Sequence, residues 1–160
     1  MRDRHAPEAW YRDRSALSFI GRRYLPWLAA LSLAWELAQL PLYTIWREES
    51  SAYIAFAVAH CTAGDLLIGT AALAITLMTL RAANFQTWRW QSIAIVTTLI
   101  GVVYTFASEW MNTSVRQSWA YAPAMPVIQL QGVVVGVSPI AQWLVVPTLA
   151  LYLARRLSAP

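Results

Sequence analysis

Three carboxyl groups, one histidine and several amides interrupt otherwise apolar stretches of this chain. Glu36 is followed by Gln39 and Tyr43 in WELAQLPLY, and His60, Cys61, Thr62, Gly64 and Asp65 share HCTAGD. Ser108, Glu109 and Asn112 lie in SEWMN, and Gln142 and Trp143 in SPIAQW. Proton donation to a carbon–carbon double bond needs a carboxylic acid that keeps its proton at neutral pH, a condition that a low-dielectric setting favours. It also needs aromatic faces to attract the carbocation that forms. Glu36, Asp65 or Glu109 would supply the acid and His60 would tune it, with Trp35, Trp110 or Trp119 lining the cavity. Glu36, His60, Asp65 and Glu109 could alternatively hold a metal ion as in carboxylate-bridged bundles, although the Glu-x-x-His pair of such sites is absent. The bland reading is interhelical glue, worth about 0.6 kcal/mol per buried polar pair. Three carboxyls and a histidine at matching depth exceed what glue requires. Cys61 by itself reads as a small buried filler.

Other chemistries are excluded by what is missing. Within the apolar stretches only His60 could ligate haem, and the single Cys61 rules out a disulfide relay, a disulfide scaffold and Cys-rich zinc. No phosphate-binding glycine loop, nucleophile elbow or His-Glu-x-x-His stretch occurs. The residues single out no cofactor.

These groups must be positioned by membrane-spanning helices. The 160 residues make one domain of 58% apolar and only 12% charged composition, about half the usual charged share. Nine tryptophans are present, and all twelve basic residues are arginine. A bilayer core of about 30 Å needs roughly 20 apolar residues. Four stretches meet or approach that length: about 24–46, 52–80, 90–111 and 139–154, the last helped by apolar 133–137. Tyr24, Trp27, Trp46, Trp88, Trp90, Trp110, Trp119 and Tyr152 fall near the interfaces where amphipathic rings anchor. Ser138-Pro139 reads as a helix cap and first turn. Pro41 and Pro147 should kink their helices or free a carbonyl.

Orientation follows from the arginines. Arg2, Arg4, Arg12, Arg14, Arg22, Arg23, Arg81, Arg89, Arg155 and Arg156 fall on one side, and only Arg47 and Arg116 on the other. The positive-inside rule then places both termini in the cytoplasm, with 1–23 as a leader. That leader is too long, and the apolar run after it too long and too polar at Glu36, for a cleaved signal peptide. Acidic residues interrupt its arginines, so anionic lipid rather than nucleic acid is the expected partner. Residues 7–20 could lie on the inner surface as a helix with Trp10, Leu17, Ile20 and Tyr24 on one stripe.

Helical rise fixes the depths. Glu36 falls near mid-membrane with Gln39 above it, His60 about 10 Å down from the outer face and Asp65 near the middle. Glu109 and Asn112 end the third span and Gln142 opens the fourth. All four helices thus contribute polar groups to the outer half, facing inward because an ionisable group in hydrocarbon costs at least about 2.5 kcal/mol. Gly64 and Gly69 would admit close helix approach. Residues 113–137 should cover the cluster as a lid, with Arg116 paired to Glu109 or to Glu48 and Glu49, or simply solvated. The expected fold is an all-α, four-helix membrane bundle.

Ser108 to Pro147 runs from an acid through a Trp-Ala-Tyr element and a Gly-x-x-Pro to a polar pair, SEWMNTSVRQSWAYAPAMPVIQLQGVVVGVSPIAQWLVVP. This resembles a reduced form of the pattern in lycopene-cyclase-domain and carotenoid-hydratase membrane proteins, over about a quarter of the chain. The whole chain also resembles an uncharacterised family of short bacterial inner-membrane proteins. The first resemblance implies that Glu109 matches the acid and that Trp119 and Tyr121 match the aromatic element. It departs at Gln142 and Trp143, where the cyclases carry acids, and a neutral amide cannot donate the proton. The function these observations jointly suggest is acid-catalysed cyclisation, hydration or isomerisation of an isoprenoid-like lipid. Gln39, Tyr43, Asn112, Trp119, Tyr121, Gln142 and Trp143 would bind the substrate. The alternatives are a lipid, quinone or metal-binding protein and an accessory subunit of a membrane complex. Oligomeric state is left open.

Overall fold

The computed structural model describes residues 9–156. It is mostly helical: α1 (Arg14–Phe19), α2 (Leu25–Gln39), α3 (Ile45–Glu48), α4 (Ser51–Thr79), α5 (Trp90–Trp110) and α6 (Val137–Arg156). One antiparallel hairpin, β1 (Val127–Leu130) and β2 (Val133–Gly136), precedes α6. Among the described residues, three helices are long and apolar enough to cross a membrane: Ser51–Thr79, Trp90–Val115 and Val137–Arg156.

The first helical stretch is shaped by two prolines. α1 runs into α2 through a π-helical turn at Ile20–Tyr24. Pro26 has no N–H to return to the preceding turn, and that turn widens so that the Leu25 N–H reaches the Ile20 carbonyl, five residues back. Pro41 likewise ends the helix: α2 stops at Gln39, tightens into a 3₁₀ turn at Leu40–Leu42, and leaves Tyr43 extended. The continuous span expected over 24–46 is therefore broken at its C-terminal end.

α2 and α5 each pack against both α4 and α6, forming a ring of four antiparallel neighbours. Its interior is polar for a protein of this size: Ser32, Glu36, Gln39, Asp65, Thr76, Thr97, Thr98, Thr105, Glu109 and Gln142 are all buried. Its exterior is apolar, with Phe56, Leu67, Met78 and Val103 each more than 60% exposed. This inverts the usual distribution in water and fits a hydrocarbon surrounding.

The two ends of the ring differ. At the arginine-rich end Phe19, Tyr24, Leu28, Leu73, Leu77, Ile93, Ala150 and Leu151 form the apolar core. The rings of Phe19, Phe85, Trp88 and Trp90 cluster there with centroids 5.1–6.0 Å apart, and the Arg155 guanidinium lies 5.3 Å from the Trp90 ring centre. Trp88, expected as an interfacial anchor, is instead core. Asp13 caps α1 by accepting from the Ser15 N–H at 2.8 Å and also accepts from the Phe85 N–H at 2.7 Å, fastening α1 to the α4–α5 connection. The stripe that packs is Ala16, Phe19 and Tyr24, while Leu17 is exposed. Expectations resting on Arg2, Arg4 and the rest of residues 1–8 lie outside the described residues. Between helices, Thr97 donates to Thr76 at 3.0 Å and Thr98 pairs with Thr148 at 2.9 Å.

The hairpin corrects the all-α expectation. Of residues 133–137 only Val137 joins the last helix; β-branched Val133 to Val135 pair back on residues 128–130 as β2. Gln131 and Gly132, with φ of 49° and 85°, make the two-residue turn, which only a residue without a Cβ enters freely at Gly132.

Candidate functional site

α6 begins at Val137, so Ser138 is already helical and its hydroxyl is not a cap. It joins the interior network instead, donating to Gln39 Oε1 at 2.9 Å and accepting from the Trp35 indole at 3.2 Å. Gln39 Nε2 donates to Glu36 Oε1 at 3.0 Å and, more weakly, to Gln142 Oε1 at 3.5 Å. Gln142 Nε2 donates to Glu36 Oε1 at 3.3 Å and to Asp65 Oδ2 at 2.6 Å. One chain of hydrogen bonds thus connects α2, α4 and α6. It also fixes both amide orientations, because each nitrogen faces a carboxylate.

Glu109, near the end of α5, forms a second group. Tyr121 donates to Glu109 Oε2 at 2.5 Å and accepts from the Gly136 N–H at 2.9 Å. Burial, then the neighbouring Glu109, push the Tyr121 phenol well above its ordinary range, so it stays a donor. Trp119 approaches Glu109, yet its buried indole N–H meets no partner in hydrogen-bond geometry. The segment carrying these rings is pinned at the end of the ring opposite the arginine-rich end. Thr44 N–H donates to Ala120 O at 3.0 Å and Ala122 N–H to Leu42 O at 2.9 Å, and Tyr43 and Tyr121 stack obliquely 5.7 Å apart. Residues 118–122 therefore cover the cluster, whereas the tip of the hairpin stands exposed away from it.

Both groups line one cavity of about 370 Å³, bounded by Glu36, Gln39, Tyr43, Asp65, Glu109, Asn112, Trp119, Gln142 and Trp143 among others. Trp143 closes it against α5, where Gly101 leaves room: a Cβ there would stand 2.1 Å from the indole. Of the expected site residues, Glu36, Asp65 and Glu109 converge with the amides. His60 does not. It sits exposed on the cavity rim, stacked on Phe56 with ring centroids 5.6 Å apart, because its position on α4 turns it from the interior that Asp65 faces. It tunes no acid. Among the described residues no three His, Cys, Asp or Glu side chains are placed together to hold a metal ion.

Further corrections concern single residues. Asn112 lines the cavity but spends its amide on the Ser108 carbonyl and hydroxyl at 2.9 and 3.2 Å. Arg116 is exposed at the rim and forms no ion pair with Glu109, Glu48 or Glu49. Trp110 is 39% exposed and does not line the cavity. Gly69 admits Leu28 as expected, but Gly64 meets no neighbour within 4 Å and opens the cavity wall instead. Reading the sequence missed Ser138, Ser32 beside Asp65, and Tyr104. For Ser138 the signal was its position one turn before Gln142. No family model, curated protein or solved structure matches the chain.

Proposed function

We propose that this is an integral membrane protein of four spans with both ends cytoplasmic, carrying out acid-catalysed cyclisation, hydration or isomerisation of an isoprenoid-like lipid. The helical run over 24–42 would be the fourth span, roughly 30 Å long at 1.5 Å per residue to Gln39 and about 2.0 Å per residue in its closing 3₁₀ turn, and the arginine distribution supports the orientation. A bacterial inner membrane is the expected location.

The observation that carries the reading is the cavity: a ligand-sized space inside an apolar ring, walled by three carboxyls and by Tyr43, Trp119 and Trp143. Interhelical glue does not leave a void, since polar pairs that only join helices close on each other. Glu109 is the best placed donor. Tyr121 holds one of its oxygens, leaving Oε1 for a substrate. In the proposed step the Glu109 O–H proton passes to one carbon of a double bond and a carbocation forms at the other. That cation loses a proton, or is attacked by a second double bond to give a ring-bearing cation that then loses a proton, or takes up water with release of a proton. In each case the released proton returns to the carboxylate. Indole and phenol faces stabilise the cation meanwhile. The Glu36–Gln142–Asp65 chain holds the helices that define the space.

The test is a lipid profile of cells expressing the wild type and Glu109→Gln. Loss of an isoprenoid product in the variant supports the proposal; identical profiles, with the wild type itself changing nothing, remove it. A second reading, a non-enzymatic lipid or quinone binder, draws on the occupied carboxyls of Glu36 and Asp65. It predicts a bound lipid in native mass spectrometry that survives Glu109→Gln.

A further inference from the structure

The cavity has a side opening. Its lining includes Tyr53 and His60 on α4 and Tyr104 on α5, all of them exposed on the outside of the ring. Between them stands Gly64, with open space where a side chain would be. Gly64 lies about 20 Å from either end of α4, and Tyr104 about 21 Å along α5 from Trp90. Gly64 is thus well inside α4, while Tyr104 lies about 9 Å from the end of α5 at Trp110 and Tyr53 lies in the first turn of α4. The gap therefore opens on the half of the α4–α5 face nearer residues 118–122. It is flanked by the outward-facing Leu67 and Val103, 74% and 70% exposed. Below it α4 and α5 close together through Thr76 and Thr97. Above, residues 118–122 cover the end of the ring. The exposed Tyr53, His60 and Tyr104 in the lining put an opening of the cavity on the α4–α5 side.

The polar end of the cavity also has a charge character. Glu36, Asp65 and Glu109 contribute three carboxyls, with two glutamine amides between them, and the basic side chains of the lining are confined to the rim, His60 and Arg116. An anionic head group would find no buried cation to pair with. A hydroxyl or carbonyl could donate to or accept from the same groups.

We infer that the gap between α4 and α5 at Gly64 is a lateral portal through which a lipid with an uncharged hydroxyl or carbonyl head enters from the bilayer, excluding phosphorylated lipids. This rests on the membrane-embedded cavity proposed above and not on its acid chemistry.

Cys61 lines the cavity one turn from Gly64 and is the only cysteine in the chain, so it reports access at a single place. The protein is reconstituted in phosphatidylcholine vesicles and treated with pyrene maleimide, which partitions into the bilayer, or with a sulfonated, membrane-impermeant maleimide. The bilayer reagent should label Cys61 at least tenfold faster. Gly64→Phe should slow that labelling about tenfold, while Leu67→Phe, which faces outward beside the portal, should leave it unchanged. Farnesol at a few mole per cent of lipid should slow labelling severalfold, and farnesyl phosphate at the same level should not. Faster labelling by the sulfonated reagent, no labelling by either, or an unaffected Gly64→Phe rate overturns the portal. Protection by the phosphate, or by neither compound, overturns the head-group assignment. Glu109→Gln should label as the wild type does, so loss of turnover in that variant and loss of access are separate results.

Discussion

Replacing Gln142 by leucine keeps the volume of the side chain and removes three hydrogen bonds. The 2.6 Å bond to Asp65 is the strongest, and the 3.3 Å bond to Glu36 and the 3.5 Å bond from Gln39 are weaker. A hydrogen bond to a charged group contributes about 1.5–3 kcal/mol, and ordinary interhelical bonds in membranes about 0.6 kcal/mol each. Asp65 and Glu36 are both buried, so neither recovers the lost partner from water without rearrangement. The expected loss is about 3 kcal/mol, read as destabilisation against denaturant in detergent micelles or by steric trapping in a bilayer. Thr98→Val is the control, removing one neutral pair with Thr148 for about 0.6 kcal/mol. A Gln142→Leu protein within about 0.5 kcal/mol of the wild type would show that the network does not hold the helices. The account of how Glu36 and Asp65 are positioned would then be wrong.

Other outcomes follow from individual contacts. Gly101→Ala places a Cβ 2.1 Å from the Trp143 ring and should cost about 1–3 kcal/mol, a penalty that Trp143→Leu in the same chain relieves in a double-mutant cycle. The Phe85 N–H holds the Asp13 carboxyl below its ordinary value of 3.8, so Asp13 stabilises the fold above that pH. The contribution fades as pH falls through the lower folded value. The protection factor of the Phe85 amide, the intrinsic exchange rate divided by the observed rate at the same pH, should fall below about pH 4 in the wild type, and Asp13→Asn should remove that change. Tyr121→Phe should raise hydrogen exchange across residues 118–122 and at Gly136 while leaving α4 unaffected, because the phenol links Glu109 to both. Gly132→Ala at φ 85° should cost the hairpin about 1 kcal/mol, seen as faster exchange in 127–136 with no change elsewhere.

Much of the long-range layout was legible because hydrocarbon imposes a simple rule. Apolar runs of span length and the side on which arginines fall are one-dimensional properties, and α4, α5 and α6 lie close to the stretches they mark. The carboxyls were legible for the same reason, since a charge in such a run has few places to go. Element ends were less so. Pro26 and Pro41 act through which carbonyl loses its donor, and whether the chain widens to π or tightens to 3₁₀ depends on packing around it. The hairpin had a local signal in Gln131-Gly132 and the valines after it, outweighed by reading apolar 133–137 as part of a span.

The sequence alone placed Glu36, Asp65, Glu109 and Gln142 in the same half of their helices, the first two near the middle and the others toward an end, because position along a helix is residue number multiplied by a fixed rise. Only the tertiary structure decided which of the polar residues share an interior. Rotation about a helix axis is set by every neighbour packed on it, so Asp65 faces Gln142 while His60, five residues earlier, stacks outside on Phe56. The same rotation put Ser138 into the network and left Gly64 facing open space instead of a helix contact.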